Sequence, residues 1–148
     1  MMQRKIKKGE KPKFSKNVST ENKGCPGCPA FSFQYLTTSK QYNLEYFKDK
    51  REKNEARGAL IDRLIEISNI EWQTLHGLGK QNGVEVLRAN LVDLKPKPSG
   101  YDLGKDENII VMRFKKQDYR ILGIRPSACA TLYIFAFDFN FSAYNHGS

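Results

Sequence analysis

The sequence is poor in cysteine and histidine and has no long apolar run. Three cysteines and two histidines in 148 residues are too few and too irregular for a small secreted scaffold stapled by disulfides, and the odd cysteine count agrees with a reducing compartment. A four-ligand zinc site would have to join the Cys25-x-x-Cys28 pair to Cys129, His76 or His146 at irregular spacing. As a redox pair, Cys25 and Cys28 lack the preceding strand and following helix terminus that lower a thiol pKa. The segment reads as a plain loop, and no metal or cofactor is expected. The longest nearly apolar stretch, Ala128–Phe137, is ten residues long, whereas a membrane-spanning helix needs roughly 20. No apolar segment of the secretory type follows the basic amino terminus. A membrane partner is therefore not expected, and a cytoplasmic location is. The chain has no internal repeat.

What the chain has in excess is positive charge. Lys and Arg number 25 against 16 Asp and Glu, a formal charge of +9, while 39% hydrophobic residues suffice for one sizeable core. Residues 1–24 hold eight basic and two acidic residues, a net of +6, with few apolar ones among them. Such a segment cannot offset the entropy of ordering it, so residues 1–29 are expected to be a disordered basic tail ending in the Pro-rich turn around Cys25 and Cys28. Two readings of the tail are open: an arm attracted to phosphate backbones or a solubilising extension. The other 124 residues carry only +3, but between Asn108 and Arg125 five basic residues face the single Asp118.

Residues 30–148 read as a single α+β domain. Phe31, Phe33 and Tyr35 alternate as a strand over 30–36. Over 38–47, Thr38 and Gln41 have capping-box spacing while Tyr42, Leu44 and Tyr46 alternate; both helix and strand fit, and helix is preferred. Ala56, Leu60, Ile61, Leu64, Ile65 and Ile67 predict an amphipathic helix from Lys50 to Ile67. Ser68 and Glu71 predict a second short helix carrying Trp72 and Leu75, stopped by Gly77 and Gly79. Val84–Val92 predicts a strand, residues 95–100 a loop, and Ile109–Phe114, Tyr119–Ile124 and Leu132–Phe139 three further strands, the first two as a hairpin. The order predicts a small curved antiparallel sheet with an amino-terminal helical pair packed on one face.

Four groups of residues can carry chemistry. His76, at a helix end, suits a cap on the last carbonyls. His146 follows the most apolar strand in Tyr144-Asn-His146-Gly, which sets an imidazole and a phenol at a sheet edge. Arg113, Lys115, Lys116, Arg120 and Arg125 form the basic cluster, either a solvated face or a phosphate-binding one. By strand parity Arg120 and Arg125 lie on opposite faces unless Gly123 marks a bulge. Arg120 then points to a buried side, where it needs a carboxylate or a ligand phosphate; Glu85 and Asp138 are the candidate carboxylates.

The strand ending Met112-Arg113-Phe114, the strand beginning Tyr119-Arg120, the strand Leu132-Tyr-Ile-Phe135 and the final Tyr144-x-His146 follow a strand and a helical pair. This order resembles the RelE/ParE superfamily of bacterial toxins over about residues 31–148. In the RelE branch the resemblance implies a compact microbial-ribonuclease-like fold that enters the ribosomal A site and cuts messenger RNA, with an antitoxin blocking it; the ParE branch poisons DNA gyrase. It also implies that Arg120 binds phosphate, that Tyr144 and His146 form the carboxy-terminal Tyr/His pair, and that Arg113, Lys115 and Lys116 are the basic residues of the preceding strand and turn. The expected function is a metal-independent endoribonuclease. His146 would act as base or acid, Arg120 with Arg113 or Lys116 would hold the phosphate, Arg125 would add positive charge, and Tyr144 would orient substrate or stack on a base. The alternative is a non-catalytic accessory protein of a mobile element that binds nucleic acid or protein.

Overall fold

A computed structural model describes residues 27–145; expectations for the basic tail, Cys25 and His146 fall outside them. The elements are β1 (Ala30–Ser32), α1 (Lys50–Ser68), α2 (Trp72–Gly77), α3 (Gly79–Asn82), β2 (Glu85–Arg88), β3 (Asn108–Phe114), β4 (Tyr119–Ile124) and β5 (Thr131–Asp138). The five strands form one sheet in the order β1-β5-β4-β3-β2. The architecture is α+β, but the sheet is mixed and not antiparallel throughout, because β1 returns beside β5 in parallel.

Helix α1 starts where Asp49 accepts the backbone N–H of Glu52 at 3.3 Å, a side-chain cap on an otherwise unpaired donor. Its buried stripe is Ala56, Leu60, Leu64 and Ile67. Ile61 and Ile65 were expected in that stripe but are more than half exposed, since they lie a step round the helix from it. Ser68 does not start α2: its hydroxyl and the Asn69 amide both bond the Ile65 carbonyl, at 2.7 and 2.9 Å, and so close the end of α1. The chain restarts at Trp72 without a side-chain cap.

Two apolar layers lie on the two sides of the sheet. Ile110, Met112, Phe114, Ile121, Ile134 and Phe137 pack with the α1 stripe, Trp72 and Leu75. Ile109, Val111, Leu122, Ile124, Phe135 and Ala136 instead meet loop residues, Tyr42, Val92, Leu94, Ala143 and Tyr144 among them. This second layer explains why the helix expected over 38–47 shrinks to the 3-10 turn Lys40–Tyr42. Tyr42 belongs to the loop-side layer and Leu44, Tyr46 and Phe47 to the helix-side one, and a single helical face cannot serve both. Likewise the expected strand Val84–Val92 pairs only over Glu85–Arg88 and then turns, so that Val92 and Leu94 drop onto the sheet.

Arg63 locks α1 to the sheet. Its guanidinium donates to the Arg113 carbonyl at 2.9 Å and the Asn82 carbonyl at 2.8 Å, and pairs with Glu66 at 3.0 Å. At the other end of β4 the register against β5 slips between Leu122 and Gly123, leaving Phe135 as the extra residue of a bulge. A Cβ on Gly123 would sit 2.6 Å from Leu132 Cδ1 and 3.0 Å from the Tyr133 carbonyl. Gly123→Ala is therefore expected to destabilise the fold by about 1–3 kcal/mol through overpacking, read as a lower midpoint in guanidinium denaturation.

Candidate functional site

At one end of the three central strands the register sets Arg113 opposite Arg120 and Arg120 opposite Asp138. Opposed residues of antiparallel strands project from the same face, so two arginines and a carboxylate form one row on the loop-covered side. Glu85, opposite Val111, projects from that face in the neighbouring row.

Asp138 is 1% exposed and accepts the backbone N–H groups of Asn140 at 3.4 Å, Ser142 at 3.1 Å and Ala143 at 3.3 Å. These bonds fold the chain after β5 back over the sheet. Lys95 N–H donates to the Ala143 carbonyl at 2.7 Å and Asn145 N–H to the Val92 carbonyl at 2.6 Å, fastening the segment to its neighbour. Tyr144 is thereby buried beside the row. Its hydroxyl pKa is pushed up to about 12, first by burial and then by the negative charges of Glu85 and Asp138; the Arg120 guanidinium, which hydrogen-bonds it, pulls the other way. Tyr144 is thus a neutral hydrogen-bonding group at physiological pH.

Arg120 is 6% exposed. Its Nη1 donates to the Gln117 carbonyl at 3.0 Å, and the half-exposed Phe141 ring lies 4.5 Å from the guanidinium carbon. Among the described residues its Nε has no acceptor, and no carboxylate pairs with it within 4.0 Å. Burying a guanidinium without a close ion pair costs several kcal/mol, and the orphaned N–H adds to that cost. Arg113 Nη1 donates to Gln117 Oε1 at 2.9 Å. Lys115 and Lys116 occupy the β3–β4 turn, where Lys115 bonds the Tyr119 hydroxyl at 3.2 Å. With Arg113 and Gln117, these lysines also line a cleft of about 370 Å³ facing Asp62, Arg63 and Glu66 of α1.

The structure thus brings Arg113, Arg120 and Tyr144 together, with the two lysines on the adjoining turn. It places Arg125 elsewhere: its guanidinium stacks 3.8 Å over the Trp72 ring and donates to the Cys129 carbonyl at 2.9 Å. His76 lies beside Trp72, its pKa lowered by burial and by the Arg125 cation, so it is neutral at physiological pH. Cys129 is a free thiol, but Cys28 is buried and disulfide-bonded; the reduced state expected of the thiols does not hold for it. Among the described residues no helix is long and apolar enough to cross a membrane, and no group of His, Cys, Asp and Glu has the makings of a metal site.

Gln117 and Phe141 escape a reading of the sequence, although a signal for each exists. Gln117 sits inside the basic turn, and Phe141 continues the alternation of Phe137 and Phe139 past the strand end. Comparison with protein-family models, with curated proteins and with solved structures finds no match to the chain.

Tyr101 is the second tyrosine with a displaced pKa, raised to about 12 mainly by its hydrogen bond to the Glu107 carboxylate. Both phenols hold their proton more tightly in the folded state than the usual value of about 10 allows. Their stabilising contribution is complete below about pH 10 and falls as pH rises towards 12. Absorbance at 295 nm should show two of the seven tyrosines ionising late and together with unfolding, and Tyr144→Phe should remove one of them.

Proposed function

We propose that this chain is a RelE-like toxin, an endoribonuclease that cleaves messenger RNA without a metal ion, acting at the ribosome and held in check by an antitoxin. The observation that carries the reading is the buried Arg120 guanidinium, which among the described residues has no ion pair within 4.0 Å and an orphaned Nε. A phosphate oxygen would supply the missing acceptor and the missing charge in one contact. Arg113 on the facing strand continues the positive surface on this face, and Lys115 and Lys116 add positive charge on the turn, on the side that faces α1.

In this reading the RNA 2′-OH loses its proton to a base and its oxygen attacks the adjacent phosphorus. The bond to the 5′ oxygen breaks, and that oxygen takes a proton from an acid, leaving a cyclic phosphate on one fragment and a hydroxyl on the other. Arg120 and Arg113 stabilise the charge that builds on the phosphoryl oxygens. The Tyr144 hydroxyl, which stays protonated to about pH 12, donates a hydrogen bond to the substrate and does not act as the base. His146, following Asn145, is assigned as base or acid, and the Glu85 carboxylate, close enough to Tyr144 to raise its pKa, is the partner proton carrier on the same face.

The test is induced expression in a bacterial host of wild type beside His146→Ala and Arg120→Met, following growth and mapping new RNA 5′ ends. Wild type should arrest growth and create new ends; each variant should lose about 10²-fold or more of the cleavage. Arg120→Met should also leave the thermal midpoint unchanged or raise it, because an apolar side chain of similar size removes the cost of the buried charge. Normal growth and unchanged RNA with a folded wild type would replace this reading with that of a non-catalytic binding module.

A further inference from the structure

We propose that Gln117 is a positioning residue that holds Arg113 and Arg120 as a two-sided clamp for a single phosphodiester; this rests on the reading of the arginine row as a phosphate site. One residue serves both cations. The Gln117 backbone carbonyl accepts Arg120 Nη1 at 3.0 Å, and its side-chain Oε1 accepts Arg113 Nη1 at 2.9 Å. The two arginines are direct cross-strand partners, a placement in which like charges repel. Neither has a carboxylate within 4.0 Å among the described residues.

The nature of the acceptors is what singles the arrangement out. A carboxylate is the usual partner of a half-buried or buried arginine, and it would orient the guanidinium while cancelling its charge. Two amide oxygens orient without cancelling. Both arginines are therefore given fixed directions by neutral oxygens, the preorganisation that stabilises an anion without reorganisation on binding.

The backbone is bent to make this possible. Lys115, Lys116 and Gln117 have φ of 48°, 52° and 80°, three successive left-handed residues in a turn with no glycine or asparagine, which are the residues that occupy such positions cheaply. Asp118 N–H closes the turn on the Lys115 carbonyl at 3.0 Å. Strain of this kind persists where surrounding contacts over-determine it, and here the turn aims the Gln117 carbonyl at Arg120. Glycine would relax the turn but give Arg113 nothing to bond, so the side chain at this position accounts for the strained residue.

The probe is inorganic phosphate, titrated into the full chain while the arginine Nε–Hε resonances are followed by NMR. In wild type the Arg113 and Arg120 signals should move together with one dissociation constant. Gln117→Gly should keep or raise the thermal midpoint, because it relieves the left-handed strain, yet weaken phosphate binding about tenfold and uncouple the two arginine signals. Gln117→Glu should bind phosphate more weakly still, because it keeps an oxygen near Arg113 but adds the cancelling charge. In an Arg113→Ala background Gln117→Gly should cost nothing further, a non-additivity that a merely structural turn residue would not produce. If wild type binds phosphate and both Gln117 variants bind it equally well, or if the loss is the same in the Arg113→Ala background, the clamp is overturned and the phosphate site stands. If phosphate moves neither arginine in wild type, the phosphate site falls and the clamp with it.

Discussion

A guanidinium held in the protein interior with no ion pair among the described residues is the constraint around which this structure is arranged. Arg120 reaches that position because β4 runs through the middle of the sheet, between β3 and β5, so a side chain on its loop-covered face cannot reach bulk water. The residue opposite it on β5, Asp138, has the charge to neutralise it, but its carboxylate is turned towards the backbone N–H groups of residues 140, 142 and 143. Those bonds convert a potential ion pair into a clasp for the segment that carries Tyr144. The arginine is left with amide and phenol partners and an aromatic ring over one face, all of which orient it and none of which removes its charge.

The surrounding architecture follows from keeping that face closed except at its end. Helices cover one side of the sheet in the usual way. The other side is covered by irregular chain, the segments around Tyr42, Val92–Leu94 and Ala143–Tyr144, each delivering apolar side chains to a second layer. Irregular chain can bury its apolar residues only if its backbone groups find partners, and the bonds from Lys95 to Ala143 and from Asn145 to Val92 supply them. Around the other side of the same hairpin tip, Arg63 anchors α1 to the end of β3. The strands that present Arg113 and Arg120 are thereby held from both faces, while the lysine-bearing turn between them stays at the surface.

Much of the fold is legible along the chain because it depends on local periodicity. The α1 stripe at Ala56, Leu60, Leu64 and Ile67 and the hairpin of β3 and β4 are written in spacings of three to four and of two. The failures share one cause. Residues 38–47 and 89–94 send neighbouring side chains to opposite layers, so their apolar pattern reflects two distant partners and not one local period. Ile61 and Ile65 are apolar neighbours of Leu60 and Leu64 in the sequence, but they lie a step round the helix from the buried stripe and stay more than half exposed. Parity along β4 buries Arg120, and the need of a buried guanidinium for a partner points to Asp138 and Glu85; neither argument shows the hydrogen bonds that divert Asp138 or the stacking that carries Arg125 onto Trp72.

The sequence by itself determined the α+β class, the helical pair, the hairpin, the absence of an apolar stretch long enough to form a membrane helix and the clustering of basic residues near the carboxy-terminal strands, because each rests on composition or on contacts within a few residues. Only the tertiary structure decided that β1 lies parallel to β5, that Arg113 stands across from Arg120, that Gln117 bonds both and that Tyr144 keeps its proton to about pH 12. Those features depend on strand register, on burial and on charges brought together from β2, β4 and β5. A cross-strand neighbour or a desolvated hydroxyl is a property of packing, and packing between segments far apart in the chain leaves no local period to read.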